Sequence, residues 1–177
     1  MHLRSHASAR GRLTLREWVV PPGGRLWLPS PHNGPLTQQL LAAGFVLAGE
    51  EIRANEVLDD GRNLIRDFLR GQAVTGLTYY AIGTDGSAPT RAQNPQRLLA
   101  EVYRGTITSY SVDVAKLTIE LYVPSTAANG YTLREAGPFG NGATATANSG
   151  TLYARATHSD RVKDSTKAFT YSHDLTW

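Results

Sequence analysis

The residue best placed by type and spacing to do chemistry is Glu135. It stands in "YTLREAG", residues 131–137, and shares strand parity with Tyr131 and Leu133. If Leu133 packs inward, the carboxylate goes in with it. A buried carboxylate must be paired or hydrogen-bonded, because desolvating it alone is costly. One reading is a general acid or base with a raised pKa. The other is a structural tie to an arginine, a tyrosine hydroxyl or loop amides. No second carboxylate is placed by sequence to partner Glu135, which favours the tie. Arg134, of opposite parity, is then a surface or interface charge.

The remaining reactive residue types fall in weaker patterns. The five histidines, His2, His6, His32, His158 and His173, have no HExxH or comparable ligand spacing. No metal and no cofactor is therefore expected. No G-x-S-x-G elbow surrounds any serine. His158, Ser159 and Asp160 list the residue types of a triad, but neighbours on a strand face opposite ways and cannot form a relay. "GTDGSAPT" (83–90) lacks the lysine of a phosphate loop and reads as a turn between strands. There is no cysteine, so disulfides, thiolate metal sites and cysteine catalysis are excluded.

The elements that must position these groups change character along the 177 residues. Residues 1–16 carry Arg4, Arg10, Arg12 and Arg16 with no acid before Glu17. They read as an extended basic N-terminal arm that orders on a neighbouring surface. Residues 17–59 form an extension: two short strands around the Pro21–Gly24 turn, a short helix with Leu36, Leu40 and Leu41 on one face, and a strand-like stretch. "DDGRNLIRDFLRG" (59–71) is the clearest helix. Asp59 or Asp60 can cap it, Leu64, Ile65, Phe68 and Leu69 form one buried stripe, and Gly71 ends it.

After residue 71 the hydrophobic period becomes 2. Strands are expected at 77–83, at 101–112 (one strand or a bulged pair), at 116–123, around 131–137 and 151–157, and at 168–177. On the last strand Phe169, Tyr171, His173, Leu175 and Trp177 share one face. His173 is expected to be a core or interface histidine. "GNGATATANSG" (140–150) has no large apolar residue and should project as a mobile loop. The fold class is mainly β: an antiparallel β-sandwich or barrel with one packed α-helix and the N-terminal arm.

Net charge is +3 with a pI near 9.3. No lysine or arginine stripe runs through the tyrosine-rich strands, so nucleic acid is not an expected partner. No apolar run approaches the roughly 20 residues of a membrane span, and no signal-peptide core is present. No membrane partner is expected.

The order "GRNLIRDFLRG", "LTYYAIGTDGSAPT", "LLAEVYRGTITSYSV", "LTIELYVPSTAANGYTLREAGPFG" and "GTLYARAT" resembles the module of bacteriophage tail-fibre and tail-collar proteins, which also occurs as short standalone phage structural proteins. The resemblance covers residues 60–177. Two departures are Pro138, where the family has Leu, and a segment at 141–150 longer than the family's tight turn. The resemblance implies a non-enzymatic virion structural protein, assembled in the host cytoplasm. It would be an accessory attachment module on the particle exterior: a tail-fibre, collar or baseplate adaptor. A capsid decoration protein is the alternative, and a small carbohydrate-processing enzyme using Glu135 is the remote one. A chain ending at Trp177, directly on its last strand, is expected to be an adaptor or decoration piece, not a whole fibre. The implied partners are its own copies, as a homotrimer, and other virion proteins. Structural roles are expected for Glu101, Arg104, Arg134, Glu135, Gly137 and Phe68. The interface candidates are Arg4, Arg10, Arg12, Arg16, Trp18, Trp27, Tyr171, His173 and Trp177.

Overall fold

The computed structural model describes residues 10–24, 27–30 and 34–176. Two antiparallel sheets pack face to face. The elements in chain order are β1 (Arg10–Val19), α1 (Leu36–Ala42), β2 (Val46–Ala54), β3 (Glu56–Val57), α2 (Asp59–Leu69), β4 (Leu77–Gly83), β5 (Glu101–Thr106), β6 (Ser109–Asp113), β7 (Lys116–Val123), β8 (Thr132–Gly140), β9 (Thr151–Leu152), β10 (Ala154–Val162) and β11 (Lys167–Thr176). The first sheet runs β2-β1-β11-β7-β6. The second runs β3-β10-β8-β4-β5, with β9 also paired to β8. The antiparallel sandwich with a packed helix is thus the architecture.

Alternation in the strands builds the core between the sheets. Leu13 and Leu15 of β1, Ile119, Leu121 and Val123 of β7, and Phe169, Tyr171 and Leu175 of β11 meet Tyr80 and Ile82 of β4, Leu133 and Ala136 of β8, and Ala154 and Ala156 of β10. The outer face of the first sheet is covered by α1. There Trp18, Tyr122 and Ala168 pack on Leu36, Leu40 and Phe45. The outer face of the second sheet buries Leu58, Ala81, Leu98, Phe139 and Leu152 beneath loops. Both faces of β11 are therefore buried. A period-2 strand whose polar side looks solvent-facing in sequence instead bonds its Thr170, Ser172 and Asp174 to neighbours.

Several expectations are corrected. Residues 10–16, read as part of a free arm, form a central strand. β1 pairs with β11 from Arg10↔Thr176 to Val19↔Lys167 and with β2 on its other side. Its inward-packed hydrophobic residues are Leu13, Leu15 and Trp18, while Val19 at its end is half exposed. The first three are fully buried, because the partner strand lies about 160 residues away in sequence, where short-range reading does not reach. Residues 1–9, including Arg4, lie outside the described residues, as does Trp177. The 17–59 segment is no appendage, since β2 sits in the same sheet as β7 and β11. The Pro21–Gly24 turn does not join two strands, for residues 27–30 are irregular and Leu28 is exposed. In α1, Leu36 and Leu40 are buried but Leu41 is exposed.

The helix expected at 59–71 is present, with differences at both ends. Its N-cap is Leu58, with no side-chain cap. The first amides are satisfied by the loop between β4 and β5 instead: Asp59 N–H donates to Arg91 O and Asp60 N–H to Gln96 Oε1. Gly61 is required there, because a Cβ would lie 2.1 Å from Tyr153 O. Gly71 has φ 72°, and its amide and that of Gln72 close the last turn. Leu64 is buried and Ile65 packs on the core, but Phe68 and Leu69 are 68% and 77% exposed. The apolar stripe therefore runs out to the surface at the C-terminal turn, where Phe68 and Leu69 flank an open groove.

Candidate functional site

On the outer face of the second sheet, the loop 84–100 lies over a buried charge cluster. Glu135 on β8 and Arg155 on β10 are 0% exposed. Arg155 Nε donates to Glu135 Oε2 at 2.7 Å. The backbone amides of Leu99 and Ala100 donate to the same carboxylate at 3.1 and 2.7 Å. Arg155 also reaches Asp85 Oδ1 at 2.8 Å, Ser87 O at 3.0 Å and Gln93 Oε1 at 3.4 Å. Asp85 accepts the Ser87 hydroxyl and amide, and the hydroxyl bond first, then the amide and Arg155, hold its carboxyl below the usual range. Gly83 explains the glycine of "AIG": a Cβ there would sit 2.3 Å from Glu135 Oε1.

This arrangement fastens a loop to a sheet. Glu135 lines none of the surface hollows described below, and the nearest acid in the cluster, Asp85, stands on the far side of the Arg155 guanidinium. This fully buried carboxylate has three of its acceptor sites taken by fixed donors, one arginine and two amides. Arg155 was not singled out in the sequence, although its parity was readable. Ala154 and Ala156 face the core, so the residue between them faces outward.

A second tie involves Glu101 and Arg104 on β5. Residues three apart on a regular strand face opposite ways, yet these two meet bidentately: Nε to Oε1 and Nη2 to Oε2, both 2.8 Å. The cause is a register shift. Ile82 pairs with Tyr103 and Gly83 with Glu101, so Val102 is an extra residue in the ladder. Arg104 lies 4.1 Å over the Phe139 ring and donates to Ser149 O at 3.1 Å, while Glu101 accepts the Asn148 amide at 3.0 Å. The 141–150 segment is therefore pinned, not projecting. Its polar small residues bond to one another, as between Thr144 and Ser149, and to the ion pair beneath them. Gly137 permits close strand approach, since a Cβ would fall 2.2 Å from Ala154 O. Arg134 is half-buried and pairs with Asp160 at 2.8 Å.

The interface candidates on the strands are mostly interior. Trp18 is fully buried, with its Nε1–H donating to Thr170 Oγ1 at 3.2 Å. Tyr171 and His173 are 0% exposed in the core. The Tyr80 hydroxyl lies 2.5 Å from His173 Nδ1, whereas His173 Nε2 has no partner. Burial pulls the His173 imidazole down to about 3 and drives the Tyr80 phenol well above its ordinary value. Trp27 is half-buried and packs edge-on against Tyr122 and tilted on Phe45. Arg12 pairs with Asp174 at 2.8 Å and Arg16 with Glu50 at 2.6 Å, so both act within the sheet. Arg10 opens β1.

The triad look-alike dissolves on β10. The Ser159 hydroxyl bonds to Glu51 at 2.5 Å, His158 Nδ1 donates to the Ser159 carbonyl at 2.8 Å, and Asp160 faces Arg134. Glu51 was not flagged by the sequence. Burial pushes its carboxyl up, but hydrogen bonds from Ser159, then Arg53 and Arg161, outweigh that and bring it to about 2. Among the described residues no group of three potential metal ligands clusters, and no helix is long and apolar enough to cross a membrane.

Part of the open surface is apolar. A groove of about 460 Å³ lies between the exposed end of α2 (Phe68, Leu69) and Leu77, Leu117, Tyr153 and Leu175 at the end of the sandwich. Exposed apolar side chains also stand on β2 (Val46, Leu47, Ile52) and along the β6–β7 hairpin (Tyr110, Val112, Val114). No protein-family model, curated protein or solved structure matches this chain.

Proposed function

We propose that this chain is a non-enzymatic virion structural protein, an accessory attachment module on the exterior of a bacteriophage particle. The observation that carries the reading is where the motif charges go. The "EVYR" and "LREAG-F" elements lie on β5 and β8, on either side of β4. Their acids and arginines are spent on ties that fasten loops to the sandwich. Such a body is rigid, and its exposed apolar residues suit contact with other subunits. The resemblance that these motifs carry implies three copies and tail-associated neighbours, with assembly in the host cytoplasm.

The second reading, a decoration protein on the head shell, needs the same rigid body. Gold-labelled antibody on intact particles separates the two: label at the tail end supports the first, label across the head the second, and unlabelled particles sink both. A carbohydrate-processing role for Glu135 would require a hydrolase activity that Glu135→Gln abolishes in a folded protein.

A further inference from the structure

We propose that β6 is a two-fold docking edge for a second copy of this chain. β6 is the outermost strand of the first sheet, and residues 110–115 are exposed throughout. Its backbone donors and acceptors on the outer side are left for another strand. Free edges are ordinarily guarded by charge, proline or a bulge. The opposite edge, β2, is guarded in this way by Glu50, Glu51 and Arg53. β6 reads Ser-Tyr-Ser-Val-Asp, with a single charge at its end. Val112 is 76% exposed, and Tyr110 is 52% exposed with its hydroxyl donating to Leu77 O and its ring lying along the edge.

The sequence of β6 is self-complementary. In an antiparallel pair centred on Ser111, Tyr110 stands opposite Val112 of the second copy, and the symmetry repeats that pair. Aromatic against β-branched is among the favourable cross-strand combinations. Asp113 stands opposite Ser109, so no like charges face each other. Centring on Ser111 also places Val114 opposite Thr108 of the second copy. Thr108, with Tyr103, Ile107, Leu121, Tyr122 and Pro124, lines a hollow of about 360 Å³ with room for an isopropyl group.

Val114 supplies an independent observation. It is the first residue of the two-residue connection from β6 to β7, and it has φ 49° while 99% exposed. A β-branched residue with positive φ is strained, and this position favours glycine. In the isolated chain that side chain packs on nothing that would offset the strain. A knob held out at the tip of an unguarded edge, at the register position of a hollow, is accounted for by a partner that receives it. The contact is isologous, so it closes at two copies and does not run on into fibres. It does not rest on the virion reading.

Sedimentation equilibrium of the full chain across a dilution series tests the contact, together with hydrogen exchange of the β6 amides. The expected result is an even-numbered assembly whose β6 amides gain protection with concentration. Val112→Lys should weaken association by about tenfold or more. Val114→Gly should also weaken it, while raising the melting temperature of the dissociated chain by removing the positive-φ strain. That opposite pair of effects cannot come from misfolding. A monomer at about 100 µM overturns the proposal, as does an assembly that both substitutions leave unchanged. A chain that labels particles yet stays monomeric removes this contact and spares the virion reading. A dimer absent from particles does the reverse.

Discussion

Removing the carboxylate of Glu135 should cost the protein a large part of its stability, and the structure says how much. Glu135 and Arg155 are both fully buried, 2.7 Å apart. In Glu135→Ala, the amides of Leu99 and Ala100 lose their acceptor. Both bonds are part-buried, so each orphaned donor costs about 1 kcal/mol, the low end of the range for a fully buried one. The guanidinium of Arg155 loses its closest partner but keeps Asp85 and the Ser87 carbonyl. Breaking a buried pair costs about 3–5 kcal/mol when the remaining charge is left alone. Because Asp85 still neutralises Arg155, and because the terms overlap, a loss of about 4 kcal/mol is expected, from a total that for a domain of this kind is about 5–15 kcal/mol.

Glu135→Gln should recover part of that. Its oxygen can still accept, but its amide nitrogen must face either Arg155 Nε or a backbone N–H, donor against donor, at about 2–3 kcal/mol. Urea unfolding with linear extrapolation measures both variants, with the m-value as the check that the transition stays two-state. A loss under about 1 kcal/mol for Glu135→Ala would refute the account of the cluster as a loop tie. So would a Gln variant as stable as the parent.

Two further outcomes follow from burial. Phe68→Ala should cost less than about 1 kcal/mol, because the ring is 68% exposed, whereas Leu64→Ala on the same helix should cost about 2–4 kcal/mol; equilibrium unfolding of the pair reads the difference. Acid should destabilise the protein through His173, whose buried ring is held at about 3 against an unfolded value near 6.5. The unfolded chain takes the proton first, so stability present above pH 6.5 is lost progressively as pH falls towards 3. Between pH 7 and pH 5 the loss is about 2 kcal/mol. Glu51, brought to about 2, adds its own loss only below about pH 4.5. A His173→Gln variant should show a flatter stability profile from pH 7 to 5, and an unchanged slope would remove His173 as the cause.

The strands at 77–83 and 116–123 were legible to the residue: the second alternates cleanly, and the first is a short apolar run rich in tyrosine that ends at Gly83. What sequence could not supply was pairing over long separations. β1 looks like a basic tail with two leucines until β11 is laid beside it, and Tyr171 and His173 look like a presentable face until the second sheet covers them. The end of α2 failed for a related reason. The stripe Leu64, Ile65, Phe68, Leu69 has the right period, but a period says which side is apolar and not how far the neighbouring layer extends.

Glu135 is the instructive case, because its burial followed from a parity rule that does not hold. Leu133 and Ala136 both face the inter-sheet core, so strict alternation breaks between them. The ladder shows where. Glu135 pairs with Thr157 and Leu133 with Arg161, so Arg134 alone on β8 stands against His158, Ser159 and Asp160 on β10. The segment whose residue types imitate a catalytic triad is a bulge. By absorbing extra residues it lets Leu133 stay on the core while Glu135 turns to the outer face, where Arg155 and the 84–100 loop enclose it. Bulges re-aim side chains in this way. Here the re-aimed group is the carboxylate that fastens the longest covering loop of the second sheet. Ser159 of the bulge is in turn held by Glu51 on β2, which joins the two sheets, and Asp160 by Arg134 on the neighbouring β8, which ties the bulge to its own sheet.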